Sequence, residues 1–338
     1  MLRSMYSGIS GLKAQQSKLD VVGNNIANAT TTSFKSQSMR FQDSLSQSMT
    51  QASGPSANIG GTNPRQVGLG VQVAGIYTKT SVGNMQTTSR NLDAAIDGPG
   101  YFMVARGLLT DGDGPKVEIE ADKHTIDKTG GMDISFTRDG SFTLDSKGNL
   151  LNADGLRVLG YQNNKCKISY KVTDDKEQHA IKQEDDDIEF DKDLKPLVIP
   201  DSIKDTDDKD VRIQSFSIGK DGVITASLAS GKTAVIGQIG MASFKNDGGL
   251  TKMGKNLYQT SANSGEAIIR CNATDAKDDT KNNSNGYGDM LQGMIEMSNV
   301  DLAEEFTEMI VASRAFQASG KMITTGDEIL QELVNLKR

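Results

Sequence analysis

Apolar side chains recur every seven residues at both ends of this chain, and that spacing constrains the fold more than any other feature. Near the N-terminus the repeat follows the a and d positions of a helix, while polar side chains occupy its other faces. We expect this helix to end near Asn28. Its packing stripe consists of Leu2, Met5, Ile9, Leu12, Leu19, Val22 and Ile26.

The C-terminal repeat predicts a second, longer helix. Ser298 and Asp301 predict a capping-box start, and no proline occurs between Asp301 and Leu336. A single helix of about 36 residues would span roughly 54 Å. Its packing stripe consists of Leu302, Phe306, Met309, Ile310, Phe316, Ile323, Leu330 and Leu333.

The two predicted helices differ in length, and this difference bears on function. The N-terminal stripe can cover only part of the longer helix, so apolar surface remains for other copies of the chain. Such a chain would polymerise. The alternative is an antiparallel helical hairpin that pins the two termini of a monomer to its own body.

The sequence between the helices predicts β-structure. It combines 35 glycines with 5% aromatic residues and no tryptophan, which suits many short strands joined by turns. Residues 71–76 alternate between apolar and polar side chains, and residues 101–104 form a short apolar run. Asp139-Gly140 and Asp221-Gly222 each predict a hairpin. The predicted fold class is α+β and mainly β, with discontinuous β-structure in mid-chain and long terminal helices that form a coiled-coil-like inner domain.

Charge and composition suggest a division into domains. Residues 171–210 carry 15 acidic and 7 basic side chains. We therefore expect residues 162–200 to form an acidic module inserted into a continuous β-domain. Residues 28–66 are rich in Ser, Thr, Asn and Gln, which favours a linker ordered by contact, or alternatively a flexible tether. The predicted parts are a terminal helical domain (1–28 with 297–338), an extended linker (29–70 with 272–296), a β-rich middle domain (71–161 with 201–271) and an acidic outer module (162–200).

Two segments resemble ligand-binding loops but fail the full pattern. Ser230-Gly231-Lys232-Thr233 lacks the earlier glycine of a phosphate loop because Ala226 stands at that position, so it predicts a turn. Residues 110–114 suggest a calcium loop, yet Pro115 and Lys116 occupy positions where a ligand and a glycine are required. We therefore expect no enzyme activity and no cofactor.

The remaining reactive side chains also predict no site. Residues 184–187, with Glu189 and Asp191, could gather a divalent cation, but the pattern favours a solvated charged face. His124 and His179 have no catalytic partner at a suitable spacing, and Cys166 and Cys271 are expected to be free thiols. No basic stripe predicts a nucleic-acid partner, and no apolar stretch predicts membrane insertion or a cleaved signal peptide.

Several segments resemble bacterial flagellar rod and hook proteins. At the N-terminus these are residues 1–12, residues 19–28 and Phe34-Lys35, and further along they are residues 63–71 and 92–98. Residues 295–338 are similar to the hook protein in particular, whereas the resemblance fails across about residues 162–210. The motif residues are Asn24, Asn25, Ile26, Ala27, Asn28, Met297, Ser298, Asn299, Val300 and Asp301.

The resemblance implies a structural subunit of the hook, a flexible curved tube that acts as a universal joint between rod and filament. In that family the terminal helices form an inner coiled-coil layer around the export channel, and β-domains form the outer layers. A subunit of the distal rod, a stiffer and straight tube, is the alternative. The family usually has glycine where Ser33 stands, which puts a left-handed backbone turn there in doubt.

The resemblance also implies location and partners. The protein would lie in the hook of the basal body, outside the cell, after export by the flagellar type III apparatus without a cleaved signal peptide. Besides further copies of itself, its implied partners are the distal rod protein, the hook cap, the hook-filament junction protein, the hook-length control protein and the export apparatus.

Overall fold

The computed structural model describes residues 2–55, 60–107, 116–120, 124–163, 166–173, 176–183, 190–204, 210–229, 231, 233–273 and 282–336. Within these ranges, the side chains outside the description are those of residues 2, 3, 128, 166–173, 176–183 and 204. The chain divides into two compact units. Unit 1 comprises Met1–Ser81 with Ser298–Arg338, and unit 2 comprises Val82–Met297.

Unit 1 combines the two terminal helices with two small antiparallel ribbons. The first ribbon pairs β1 with β4, and the second pairs β2 with β3. The first ribbon also contacts α1. The elements of unit 1 are α1 (Leu2–Ala27), β1 (Gln37–Asp43), β2 (Ser46–Thr50), β3 (Arg65–Gly68), β4 (Val71–Thr78) and α2 (Leu302–Asn335).

Both predicted helices are present, and one predicted cap is wrong. α1 ends at Ala27, one residue before the predicted end, and α2 runs for 34 residues. The N-cap of α2 is Asp301 rather than Ser298, because Asp301 has an extended backbone and its Oδ1 accepts from the amides of Ala303 (2.8 Å) and Glu304 (3.4 Å). Ser298 instead accepts from the amide of Val300 at 3.4 Å.

Ser33 adopts the left-handed conformation that the sequence put in doubt. Its φ is +56°, in the region that favours glycine. The residue is buried within unit 1. The turn after α1 is therefore retained although the side chain makes it less favourable.

Unit 2 is built around one large sheet, in which sixteen of the described strands are connected. Most of its strands are hydrogen-bonded in the order β14-β15-β17-β18-β19-β20-β13-β7-β10-β23-β22. Three further pairs of strands in unit 2 are not part of this sheet. The strands are β5 (Met85–Thr87), β6 (Ala94–Asp97), β7 (Tyr101–Arg106), β8 (Glu118–Ile119), β9 (Ile126–Lys128), β10 (Asp133–Thr137), β11 (Thr143–Leu144), β12 (Leu150–Leu151), β13 (Arg157–Asn163), β14 (Cys166–Thr173), β15 (Lys176–Gln183), β16 (Phe190–Pro196), β17 (Ser202–Lys204), β18 (Asp210–Ile218), β19 (Val223–Leu228), β20 (Thr233–Ile239), β21 (Met241–Ser243), β22 (Thr251–Gly254), β23 (Leu257–Gln259), β24 (Ile268–Ile269), β25 (Asp289–Gln292) and β26 (Met294–Glu296).

The central strand β7 explains the apolar run seen in the sequence. Successive side chains of a strand point to opposite faces of the sheet. Phe102 and Val104 enter one buried cluster, whereas Tyr101, Met103 and Ala105 enter the other. The run is continuous because both faces of β7 are covered.

One predicted hairpin is present and the other is wrong. β18 pairs antiparallel with β19 across Asp221-Gly222, as predicted. Across Asp139-Gly140 there is no such pair: β10 pairs with β7 and β23, and β11 pairs with β12. The carbonyl oxygen of Gly140 instead accepts from the amide of Ala94 at 3.0 Å. Pairing with strands distant in sequence overrides the local turn signal there.

Three predicted domain boundaries also differ from the structure. β4 lies in unit 1 because it pairs with β1, and β25 and β26 lie in unit 2 because they pair with β6 and β5. The proposed outer module extends too far: β16 pairs with β13, and Phe190 and residues 194 and 197–199 are buried in the core. The apolar residues between 190 and 199 therefore hold this part of the segment in the core, although charged residues lie among them.

Candidate assembly interface

The two terminal helices form an antiparallel pair within unit 1. A Cβ placed on Gly8 would lie 3.4 Å from Cγ1 of Ile323, near the C-terminal end of α2. Further along α1, Nζ of Lys18 lies 3.3 Å from Oε2 of Glu308, near the start of α2. Residues further along α1 therefore contact residues earlier in α2, so the two helices run in opposite directions.

Small side chains allow the helices to approach closely. A Cβ placed on Gly11 would lie 3.2 Å from Oγ of Ser319, and one on Gly326 would lie 3.3 Å from Cγ of Met5. The most buried alanine of α2 is Ala312, with 1% of its surface exposed. The contact between α1 and α2 is therefore close, although the side chains in it are small.

The structure separates the predicted stripe residues into groups. Val22 is buried, and the side chain of Leu2 lies outside those described. Those at intermediate burial are Met5, Leu12, Leu19, Ile26, Met309, Ile323 and Leu330. Those exposed are Ile9, Leu302, Phe306, Ile310, Phe316 and Leu333. Pairing with α1 thus covers only part of the apolar surface that the heptads predict.

The exposed part of α2 is large and apolar. Its members are between 39% and 82% exposed, on both flanks of the seam with α1. Covering one such side chain contributes about 1.5–3 kcal/mol. Exposed apolar side chains in this number are typical of an interaction surface. We call it the α2 apolar face, and it consists of Leu302, Phe306, Ile310, Val311, Phe316, Met322, Ile329, Leu333, Val334 and Leu336.

Asn25 joins α1 to β1 through both atoms of its amide. Its Nδ2 donates to the carbonyl oxygen of Gln37 at 2.7 Å, and its Oδ1 accepts from the amide of Gln37 at 3.0 Å. The side chain thus pairs with the backbone of Gln37 as a neighbouring strand would. Nδ2 also donates to Oε1 of Glu305 at 2.9 Å, so this one residue connects α1, β1 and α2.

Asn299 has the same role on the C-terminal side. Its Oδ1 accepts from the amide of Ser36 at 2.7 Å, and its Nδ2 donates to the carbonyl oxygens of Lys79 (2.9 Å) and Ser81 (3.2 Å). The buried Lys35 donates from Nζ to the same Ser81 oxygen at 2.8 Å. Backbone groups that follow α1 and β4 are thereby satisfied by motif side chains.

The other motif residues make contacts of their own. Nδ2 of Asn28 donates to Asn24, both to its carbonyl oxygen (2.9 Å) and to its Oδ1 (3.0 Å), at the C-terminal end of α1. The amide of Met297 donates to the carbonyl oxygen of Asn84 at 2.8 Å within unit 2. Ala27 is exposed and ends α1, and Val300 lies at intermediate burial before the Asp301 cap.

Glu305 is a buried carboxyl that the stripe analysis missed, because heptad patterns count apolar residues alone. It is 6% exposed, and burial raises the pKa of its carboxyl above the ordinary value of 4.5, although the hydrogen bond from Asn25 lowers it. Its Oε2 is buried without a hydrogen-bond partner. The sequence does contain one indication of this buried contact, because Asn25 is a polar motif residue that interrupts the apolar pattern of α1.

The part of the chain that the structure describes gives no support to a metal site. There, no three His, Cys, Asp or Glu side chains come together as a metal site. Cys271 is a buried free thiol, and His124 lies in a loop with φ +53°. Residues 110–114, 184–189, Ser230 and Lys232, and the side chains of Cys166 and His179, lie outside the described set. Neither described helix is apolar enough over sufficient length to cross a bilayer.

Comparison with known proteins identifies similarity along the whole chain. Residues 5–35 match the model for flagella basal body rod protein, residues 125–226 match the flagellar hook protein FlgE/F/G D1 domain, and residues 291–336 match the flagellar basal body rod FlgEFG protein C-terminal. These matches include both terminal helices and part of the large sheet.

The similar full-length proteins include both rod and hook proteins. The flagellar basal-body rod protein FlgG of Bacillus subtilis (strain 168) is 42% identical over 338 residues, covering 100% of both chains. FlgG of Buchnera aphidicola subsp. Schizaphis graminum is 31% identical and covers 99% of this chain and 100% of its own. The flagellar hook protein FlgE of Borreliella burgdorferi is 29% identical and covers 100% of both chains.

Proposed function

Because the chain belongs to the flagellar rod and hook axial protein family, we propose that it is the self-assembling subunit of the flagellar hook. It is a structural component of the flagellum. In the proposed assembly, copies of the chain form a flexible curved tube that transmits torque from rod to filament and encloses the export channel.

The α2 apolar face is the main observation in support of self-assembly. Unit 1 leaves nine large apolar side chains of α2 and its C-cap residue Leu336 exposed, although α1 already packs against that helix. A soluble monomer rarely keeps such a surface uncovered. Repeated copies related by a helical operation would cover it, because a head-to-tail contact that does not close produces a filament.

Two observations support the hook over the rod. Residues 297–306 resemble the hook protein, and residues 171–210 form a strongly acidic segment in the region where the hook family varies. We place this acidic segment on the outside of the tube, where water and salt can screen its charge. The residues that we propose for packing and assembly are those of the two predicted stripes.

A distal rod subunit is the second candidate, and one observation favours it. The Bacillus subtilis relative that is 42% identical over its whole length is named a rod protein, whereas the hook relative from Borreliella burgdorferi is 29% identical. In either tube we propose that the terminal helices pack against those of neighbouring copies.

The proposed partners follow from the hook. Apart from itself, the chain would contact the distal rod protein at one end of the tube and the hook-filament junction protein at the other. The hook cap and the hook-length control protein would act during growth. Export would proceed through the flagellar type III apparatus, and no enzymatic step is proposed.

Deletion of the gene, followed by electron microscopy of purified basal bodies, tests hook against rod. The hook proposal expects basal bodies with a complete rod and no curved tube, and antibody against residues 82–297 should label the curved tube of wild-type particles. Truncated rods in the deletion strain, with label on the rod, would establish the second candidate. Intact hooks in the deletion strain would overturn both.

A further inference from the structure

The carboxyl of Glu305 occupies an unusual position at the start of α2. It is buried where α1, α2 and β1 meet, and Oε1 accepts one hydrogen bond, from the neutral amide of Asn25. Oε2 is buried and has no partner. An ionised carboxylate is strongly destabilised by burial unless charges or several donors compensate it.

The surrounding charges do not supply that compensation. On α2, Glu304 and Glu308 flank the buried carboxyl and disfavour its ionised form. Two lysines come from the other elements: Nζ of Lys18 lies 3.3 Å from Glu308, and Nζ of Lys79 lies 3.6 Å from Glu304. The charge of Lys79 favours the ionised form of Glu305, but burial, the largest cause, still raises the pKa of this carboxyl. Arg40, the basic residue of β1, lies over an aromatic ring with its Cζ 4.6 Å from the centroid.

The helix N-terminus does not change this balance. The first turn of a helix favours a negative charge. Asp301 already provides one, since its Oδ1 accepts from the amides of Ala303 and Glu304. The Glu305 side chain instead points to Asn25 on α1.

We propose that Glu305 is a proton-linked latch: its carboxyl carries a proton while α1, α2 and β1 are packed together, and loss of that proton loosens their junction. The junction depends on Asn25, which is fully buried and holds Gln37 of β1 through both amide atoms. A negative charge on Glu305 would draw water into the contact that positions Asn25. The strength of the helix pair would then depend on pH.

The direction of the effect follows from the position of the proton. Burial raises the pKa of Glu305 above 4.5, so the packed state binds the proton more tightly than the unpacked state. The stabilisation is complete below pH 4.5 and is lost as pH rises through the raised pKa. Lowering the pH towards 4.5 should therefore strengthen the junction, and raising the pH through the pKa of Glu305 should weaken it.

Infrared spectroscopy of the full-length protein tests the proton directly. A buried protonated carboxyl gives a C=O stretching band distinct from that of carboxylates, and we expect one such band above pH 4.5 in the wild type. It should be absent from Glu305→Gln and unchanged in Glu328→Gln, an exposed glutamate of the same helix. The band reports on any state with paired helices, assembled or not, so a failure of assembly is a separate outcome.

The pH dependence of dissociation provides the second measurement. The temperature at which helical signal or tubes are lost should fall as pH rises from 4.5 in the wild type and in Glu328→Gln. It should be nearly independent of pH over that range in Glu305→Gln, whose neutral amide keeps an acceptor for Asn25. Equal pH dependence in all three proteins, absence of the band from paired helices, or failure of Glu305→Gln to form the helix pair would overturn the latch.

Discussion

Unit 1 and unit 2 use apolar side chains in opposite ways. Unit 2 encloses them in two buried clusters on the two faces of its sheet, with Phe102, Leu194 and Ile224 almost without exposure. Unit 1 leaves Phe306, Ile310 and other members of the α2 apolar face in contact with solvent. The difference indicates that unit 2 is stabilised by its own chain, whereas unit 1 is completed by something outside it.

One buried glutamate from each unit shows a further difference. In unit 2 the Glu296 carboxylate contacts Nη1 of Arg138 at 3.3 Å through Oε2 and accepts from the amide of Gly83 at 2.8 Å through Oε1. Nη2 of Arg138 donates to the carbonyl oxygen of Gly98 at 2.6 Å. Both oxygens of this glutamate are satisfied, whereas Oε2 of Glu305 in unit 1 has no hydrogen-bond partner.

Tyrosines respond to the two environments in opposite directions. Burial raises the pKa of Tyr258, in the core of unit 2, to about 12. The pKa of Tyr77, on the exposed ribbon of unit 1, is lowered, first by a hydrogen bond with Ser38 and then by one with Arg40. Tyr77 should ionise first as pH rises, which a spectroscopic titration of Tyr77→Phe and Tyr258→Phe can assign.

The largest effect is expected inside unit 2, from Leu194→Asp. Leu194 is fully buried, so the change removes packing and buries an unpaired carboxylate, a loss of about 5 kcal/mol or more. That is comparable with the total stability of many domains. Calorimetry should show the transition of unit 2 greatly lowered or absent.

Leu144→Asp is the matched control for this change. Leu144 lies in the same unit on β11 but is 39% exposed, so its carboxylate remains hydrated and the loss should be about 1 kcal/mol or less. Similar losses for both variants would mean that unit 2 is not held by an enclosed core.

The next largest effect is expected for Arg138→Met. It leaves the Glu296 carboxylate buried without its cation, which costs about 3–5 kcal/mol. Denaturant unfolding should measure this loss. The control is Lys220→Met, which breaks an exposed pair with Asp289 at 3.9 Å and should change stability by about 0.5 kcal/mol or less. If Arg138→Met were as mild, polar burial would not distinguish the two units.

The comparison of the units also separates what the sequence predicts from what it does not. The helices and the Asp221-Gly222 hairpin depend on residues near one another in the chain, and their periods and turn residues predicted them. The Asp139-Gly140 signal was equally local, but β10 gains more by pairing with β7 and β23. Partners distant in sequence decide such strands, and one sequence does not reveal them.

The candidate interface was predicted in composition but not in arrangement. The stripes contain the right apolar residues, yet Met309 and Ile310 look alike in sequence although Ile310 is 61% exposed and Met309 is not among the exposed residues. The direction in which α2 faces α1 depends on small residues such as Ala312 and on the Asn25–Glu305 contact. An apolar periodicity does not detect either feature.

Ile310→Asp should leave the fold of the isolated chain unchanged and prevent assembly. The side chain is exposed in unit 1, so the carboxylate stays hydrated there, whereas in a tube it would replace apolar burial at a cost of about 2–3 kcal/mol per copy. Circular dichroism should match the wild type, and electron microscopy should show no tubes. Gln317→Asp, at an exposed polar position of the same helix, should assemble. Normal tubes from Ile310→Asp would remove the α2 apolar face from the assembly surface.

The smallest effect is expected from glycine to alanine changes within α2, and it tests which side of the helix meets another copy. A Cβ on Gly320 would meet nothing within 4 Å, so Gly320→Ala should stabilise the helix by about 1 kcal/mol. Gly326→Ala should gain less, because its Cβ would lie 3.3 Å from Cγ of Met5 on α1. Thermal melting of helical signal measures both. If Gly320→Ala stabilises the isolated chain but weakens the tubes, the space beside Gly320 is filled by a neighbouring copy; if it strengthens both, that side of α2 faces solvent in the assembly.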